Sequence, residues 1–306
     1  MTASKIHRIK TIQEFHRLRG LPKPEHPLIS VVDYAAVRHS PENNGISWVF
    51  DFYSISVKRA ANAKIKYGQL RYDFDEGVMF FIAPGQVLRV EVEPNSDASH
   101  SGWILLVHPD FFWNSPLARS ITQHEYFGYS VNEALFLSAK EEVTINAIVQ
   151  NIRQEYHSSI DKFTQNIIIS QIETLLNYAE RFYQRQFVTR KIANHEILGR
   201  LEKLLDDYFE REDLVTKGLP TVQHIAEELN LSPNYLSGLL RSMTGQTTQQ
   251  HIHEKLIEKA KEKLSTTNLS VSEIAYELGF EYPQSFSKFF KTKTKVSPLE
   301  FRQSFN

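Results

Sequence analysis

The chain contains no cysteine among its 306 residues. Disulfide staples, thiolate zinc sites and thiol nucleophiles are therefore excluded. It also has no apolar run long enough to span a bilayer. Met1–Lys10 is polar and basic without an apolar stretch, unlike a secretory signal. Both observations lead to the expectation of a cytoplasmic protein with no membrane partner. Charge of one sign is lacking too, since 35 Lys and Arg stand against 36 Asp and Glu for a net charge of −1. Any basic footprint must then be local. No Walker loop, GxGxxG run or Ser/His/Asp signature is present, so no catalytic residue is assigned.

What the chain does have is a repeat. Thr221-Val222-Gln223-His224-Ile225-Ala226-Glu227-Glu228-Leu229 is echoed about 49 residues later by Ser270-Val271-Ser272-Glu273-Ile274-Ala275-Tyr276-Glu277-Leu278. After one extra turn residue in the second copy, Asn234 matches Gln284, Ser237 matches Ser287 and Arg241 matches Lys291. Leu236 matches Phe286, and Leu239-Leu240 match Phe289-Phe290. Each copy reads as a short amphipathic helix, a tight turn and a second amphipathic helix. Ser270 with Glu273 makes a capping box, and Ser232-Pro233 is a cap followed by proline at the first helical position. Pro283 repeats that start, although Tyr282 is a poor cap. An amide near the start of an exposed helix can pair with adenine, and Lys or Arg can reach guanine or phosphate. Thr248–Ser265 has Ile252, Leu256, Ala260 and Leu264 at every fourth place and predicts a spacer helix roughly 26 Å long. Such a spacer suits two helices reading major grooves roughly 34 Å apart on one DNA face.

From about residue 197 onward the chain resembles the DNA-binding domain of the AraC/XylS transcription regulators. The resemblance rests on Leu231-Ser232-Pro233-Asn234-Tyr235-Leu236-Ser237, Thr244-Gly245 and Ile274-Ala275-Tyr276-Glu277-Leu278-Gly279-Phe280. It continues through Ser285-Phe286-Ser287-Lys288-Phe289-Phe290-Lys291 and Ser297-Pro298-Leu299-Glu300-Phe301-Arg302. It implies that double-stranded DNA is contacted by Asn234, Ser237, Gly238 and Arg241 in one groove. In the next groove it implies Pro283, Gln284, Ser287 and Lys288, with Lys291 beside them. Two positions depart from the family pattern. Gly238 stands where a long polar residue is common, implying fewer base contacts from the first copy. Lys295 replaces a common glycine, implying a different end to the last recognition helix.

Ahead of the repeat, residues 1–27 are polar with Pro22, Pro24 and Pro27, and predict an extension draped over the surface. From 28 to about 112 the period is two. Leu28–Val37, Trp48–Val57, Ile65–Phe74, Val78–Ile82, Val87–Val92 and Gly102–Val107 read as strands of a sandwich or small barrel. Turn signals at 42–45, 75–77, 84–85 and 94–97 separate them. By resemblance this is a cupin-like sensor that often holds a small effector. His39, His100 and His108 are scattered, without the paired imidazoles and carboxylate a cupin metal site needs, so no metal or cofactor is expected. His251 and His253 lie two apart on a helix and do not share a face. Trp48, Phe50, Phe52, Tyr53, Phe80, Phe81 and Trp103 read as core or as the wall of a ligand cavity. Helical period returns over 138–187, where Ile168, Ile172, Leu175, Ala179 and Phe182 make one stripe. Ile169, Leu176 and Tyr183 make a second stripe at intervals of seven. One stripe suits the subunit's own core, and the other suits either further internal packing or a partner. The resemblance favours a homodimer through helices near 140–187.

The expected fold is α+β, a β-rich cupin-like barrel with a helical hairpin followed by an all-α domain with two helix-turn-helix motifs joined by a long helix. The expected parts are an extension at 1–27, a sensor at 28–137, a dimerisation hairpin at 138–187, a linker at 188–195 and the DNA-binding domain at 196–306. The expected function is a non-enzymatic, sequence-specific transcription regulator, an activator that touches RNA polymerase and is controlled by an unknown effector or partner at the N-terminal domain. Two other readings stand beside it: a cupin metal enzyme fused to a DNA-binding domain, and an effector-free docking module.

Overall fold

The computed structural model describes residues 6–38, 46–60, 65–67, 70–72, 77–89, 100–129, 133–157, 161–189, 191–211 and 214–304. The chain divides into two compact units, Met1–Gln186 and Phe187–Asn306. The α+β expectation holds, with sheets in the first unit and helices alone in the second.

The first unit begins with β1 (Ile6–Ile9) and α1 (Ile12–Leu18), not with a surface extension. β1 pairs in parallel with β3 (Ser47–Phe50), and Ile9, Ile12 and Phe15 are buried in the core. Prolines and charges around these residues hid a short apolar set, Ile9-Ile12-Phe15, that suffices to anchor the segment. Thr11 caps α1 by accepting from the Glu14 N–H at 3.1 Å.

The strand expected over 48–57 is broken. Asp51 bonds through its N–H to the Ile9 carbonyl at 3.0 Å and through its carboxylate to Arg8 at 2.8 Å. The chain therefore leaves β3 and re-enters as β4 (Tyr53–Ala60) in another sheet. β5 (Ile65–Tyr67) and β6 (Leu70–Tyr72) make a separate antiparallel pair. β7 (Val78–Ile82), β8 (Val87–Arg89), β9 (His100–Val107) and β10 (Leu135–Phe136) follow, with the short α2 (Leu117–Ser120) between the last two. With β2 (Ile29–Asp33), one sheet has the order β10-β7-β4-β9-β2 and a smaller one the order β1-β3-β8. Phe80, Ile104 and Leu106 of the larger sheet share a core with Trp48, Phe50 and Leu88 of the smaller, with Phe52 between β3 and β4, and with α1. The segments 90–92 and 94–97, the turns at 42–45 and 75–76, and His39 lie outside the described residues.

The larger sheet is covered on its second face as well. All five positions of β7 are buried, as in a strand enclosed from both sides. Phe81 meets Tyr126 with ring centroids 4.5 Å apart, and the Tyr126 hydroxyl donates to the Leu176 carbonyl at 3.0 Å. Leu176 belongs to α4 (Thr164–Thr189), which follows α3 (Ala139–His157). Both apolar stripes of α4 are buried inside the subunit: Ile168, Ile172, Leu175, Ala179 and Phe182 in one, Ile169, Leu176 and Tyr183 in the other. What α4 leaves exposed is mostly polar, including Ser170, Thr174, Asn177 and Gln184.

The linker expected at 188–195 is helical at both ends. α4 runs to Thr189, and α5 (Lys191–Phe209) starts two residues later. Asn194 is buried and donates its side-chain amide to the Phe187 carbonyl. Asn194 thereby satisfies a carbonyl in the last turn of α4. The second unit continues with α6 (Leu214–Lys217), α7 (Val222–Glu228), α8 (Pro233–Thr244), α9 (Thr248–Thr266), α10 (Val271–Glu277), α11 (Pro283–Thr294) and α12 (Pro298–Gln303). Among the described residues, no helix is long and apolar enough to cross a membrane.

Candidate nucleic-acid interface

The repeat is reproduced hydrogen bond by hydrogen bond. Thr221 caps α7 by accepting from the His224 N–H at 3.1 Å, and Ser270 caps α10 by accepting from Glu273 at 3.2 Å. Glu273 returns the bond to the Ser270 N–H, which holds its carboxyl below the usual carboxylate range. Both first helices end alike. The Leu231 N–H reaches the Ala226 carbonyl and the Phe280 N–H reaches Ala275, each at 2.9 Å. The residue before each, Asn230 or Gly279, has positive φ, 58° and 84°. This is the left-handed helix stop. It is what turns the chain between the two helices of each motif.

The second helices both begin on proline and stop alike, but their caps differ. Ser232 accepts from the Tyr235 N–H at 3.2 Å ahead of Pro233, whereas Tyr282 gives α11 no side-chain cap. α8 ends on Gly245 with φ 76° and α11 on Lys295 with φ 70°. Each of these N–H groups bonds back to the fourth residue before it, Arg241 or Lys291, at 2.9 Å. The altered end expected from Lys295 does not occur; the lysine adopts the glycine conformation.

Packing fixes which face each helix presents. α8 buries Tyr235, Leu236, Leu239 and Leu240, with Tyr235 set edge-on against Phe187 at 5.2 Å. α11 buries Phe286 and Phe290, contributing about 1.5–3 kcal/mol each. Phe280 lies 5.3 Å from Phe286, and Phe301 lies 5.6 Å from Phe290. Arg302 of α12 donates to the Leu264 and Leu269 carbonyls at 3.2 and 2.7 Å, closing the end of α9. α9 itself, with the Thr247–Gln250 capping box, has 19 residues and is about 28 Å long.

The nine candidate residues fall into two unequal sets. On α11, Gln284, Lys288 and Lys291 are exposed along one face, Pro283 and Ser287 half-buried beside them. Lys295 continues the same stripe, at i, i+4, i+7 and i+11. On α8 the equivalent stripe is Asn234, Gly238, Arg241 and Gly245. Asn234 and Arg241 are exposed, but Gly238 is buried. Ser237 is half-buried and shares a 3.0 Å hydroxyl contact with Thr248, tying α8 to α9. The first copy thus presents two long side chains and the second presents four. Ser285 and Thr292 are also exposed on α11 and were not singled out by the repeat, because neither has a matched amide or cation in α8.

Charge is distributed just as unequally. Residues 283–295 contain four lysines and no acid. None of Lys288, Lys291, Lys293 and Lys295 is in a salt bridge among the described residues. Three of the four lysines of α9 are instead paired with acids within the unit. Lys255 meets Asp206 at 2.6 Å, Lys259 meets Glu262 at 3.4 Å and Lys263 meets Glu277 at 2.7 Å. The Asp206 bond raises the Lys255 pKa above its ordinary value. His251 and His253 turn to different neighbours, the Thr244 hydroxyl at 2.9 Å and the Phe289 ring at 5.1 Å. Burial, and secondarily the charge of Lys293, lower the His253 pKa. Among the described residues, no group of three His, Asp or Glu side chains is placed to hold a metal ion.

Residues 225–304 match the family model described as a helix-turn-helix domain. The second unit contains an AraC-type helix-turn-helix DNA-binding domain. Similar proteins include the HTH-type transcriptional regulator YfiF of Bacillus subtilis, 31% identical over 136 residues, covering 44% of this chain and 40% of that protein. The raffinose operon transcriptional regulatory protein RafR of Pediococcus pentosaceus is 36% identical over 84 residues, covering 28% and 30% of the two chains. The HTH-type transcriptional activator RhaS of Salmonella arizonae is 32% identical over 110 residues, covering 36% and 37%. The matched region thus spans well under half of each relative. Among solved structures, the C-terminal domain of the response regulator AraT from Geobacillus stearothermophilus is 31% identical. It matches 35% of this chain and 84% of that one, with a TM-score of 0.31. The match to the AraC-type domain model leaves the β-rich unit outside it.

Proposed function

We propose that the protein is a sequence-specific transcription regulator that reads DNA mainly through α11 and secondarily through α8. The observation that carries this reading is the stripe Gln284, Lys288, Lys291, Lys295 on a helix whose opposite face is fixed by Phe286 and Phe290. In this reading Gln284 pairs with an adenine edge, Lys288 and Lys291 meet guanine or phosphate, and Pro283 and Ser287 approach the backbone. Asn234 and Arg241 do the equivalent work in the neighbouring groove. Gly238 there is buried and offers no contact, and Ser237 positions α8 through Thr248.

The regulatory role follows the relatives, which are named as transcriptional regulators, RhaS as an activator. Activation through RNA polymerase, control by an effector in the β-rich, cupin-like unit and pairing of two protomers through the 140–187 region complete the proposal. Because both apolar stripes of α4 are used internally, such a dimer would use the polar face of α4 or exposed apolar residues such as Val143 and Ile167. The test is selection of bound duplexes from a random pool by the full chain, followed by footprinting. Protection of two major-groove segments one helical turn apart supports the reading. Enrichment of no sequence would overturn it.

A further inference from the structure

α9 fixes how far the two helix-turn-helix motifs reach from one another, but not how they swing about it. It joins α8 through residues 245–247 and α10 through residues 267–270, neither of which is helical. The flank between the end of α5 and α10 is not packed shut. A cleft of about 530 Å³ lies there, lined by Phe209, Arg211, Lys259, Thr266 and Glu277 among others. Lys263 and Glu277 bridge α9 to α10 at 2.7 Å, but their side chains are 31% and 41% exposed, and such pairs contribute little.

A firmer join is made by backbone. α6 stops on Gly218, with φ 72° and its N–H on the Leu214 carbonyl at 2.8 Å. α10 stops on Gly279, with φ 84°. The two stops face each other. A Cβ on Gly279 would lie 2.9 Å from the Gly218 carbonyl carbon and 3.2 Å from both the Gly218 and the Leu214 carbonyl oxygens. Backbone cannot turn aside as a flexible side chain can, so any side chain at this point would push the two segments apart. Behind the join, the buried Tyr208 donates its hydroxyl to the Gly218 carbonyl at 3.1 Å. Leu214 and Gly218 lead into α7 of the first motif, whereas Gly279 is the turn of the second. The equivalent turn of the first motif carries Asn230 at φ 58°, so left-handed backbone does not by itself demand glycine here. What the second turn has in addition is the backbone pressed against it.

We propose that the Gly218–Gly279 seam, braced by Tyr208, fixes the distance and twist between α8 and α11, and so makes the spacing of the two DNA segments part of what the protein selects. This role rests on the reading of α8 and α11 as helices in neighbouring grooves. One base pair more or less moves the second segment by roughly 3.4 Å and turns it by roughly 35° about the duplex axis. Motifs free to swing on α9 follow such a shift. Motifs locked at the seam do not, and lose the contacts of one helix.

The test compares the duplex selected and footprinted by the full chain with forms carrying one base pair inserted or removed between the two protected segments. The parent should bind the altered forms at least about tenfold more weakly. Gly279→Asn keeps a residue type that tolerates the left-handed stop and puts a side chain into the seam. It should reduce the spacing penalty to below about threefold, or move the optimum to another spacing, with base preferences inside each segment retained. Tyr208→Phe adds no bulk and removes only the bond to Gly218. It should lower the penalty by about threefold, and it decides the matter if Gly279→Asn fails to fold. A turn with a purely local role gives a different pattern: equal weakening at every spacing, or flattened preferences within the second segment, with the spacing penalty unchanged. Either result overturns the seam. A parent that protects two segments yet is indifferent to their spacing overturns the seam and keeps the two-groove reading. Protection of one segment alone overturns both.

Discussion

At the residue scale, three positions carry separable expectations. Gln284 sits at the exposed start of α11 with no competing side-chain bond among the described residues. Gln284→Ala should therefore relax preference at one base pair by about 1–3 kcal/mol and leave non-specific binding unchanged, as read by competition among single-base variants of a selected duplex. Lys295 holds φ 70° where the first copy has Gly245. An L-residue in that region is strained by about 1–2 kcal/mol, partly offset by the extra unfolded-state freedom of glycine. Lys295→Gly should raise stability by about 0.5–1 kcal/mol in denaturant titration, and a loss of stability would contradict the strain argument. Asn230 and Gly279 occupy equivalent helix stops but differ in surroundings. A Cβ at Gly279 would lie 2.9 Å from the Gly218 carbonyl carbon and 3.2 Å from the Leu214 carbonyl oxygen. Gly279→Ala should cost more than about 2 kcal/mol, whereas Asn230→Gly should be nearly neutral.

At the element scale, the helices of the second unit were legible because their signals are local. Caps, left-handed stops and apolar spacing all lie within a few residues of the structure they specify. The spacer expected over 248–265 differs from α9 by one residue at its end. Destinations were less legible than elements. The two stripes of α4 were visible, yet that both point inward depends on β7 and the Tyr126 ring, which lie far away in sequence. In the same way, Tyr235 read as part of a motif, while its contact with Phe187 joins residues 48 apart. β1 and α1 were missed because three buried side chains are too few for a periodic signal. Inequality of the two recognition helices was partly visible in Gly238, but the Ser237–Thr248 contact that removes another donor was not.

For the whole molecule, a net charge of −1 coexists with four lysines on and just beyond α11 that have no salt bridge among the described residues. Acids elsewhere in the unit pair with Lys255, Lys259 and Lys263 of α9. Affinity should consequently be salt-sensitive but modest, with the phosphate contribution dominated by one helix. The most direct measurement is equilibrium binding of the full chain to a duplex it has itself selected, titrated against salt, for the parent and for Lys288→Ala/Lys291→Ala. The account predicts that the double variant flattens the logarithmic salt slope by about two and weakens selected and random duplexes alike. A slope and affinity equal to the parent's would contradict it, and would remove α11 from the groove.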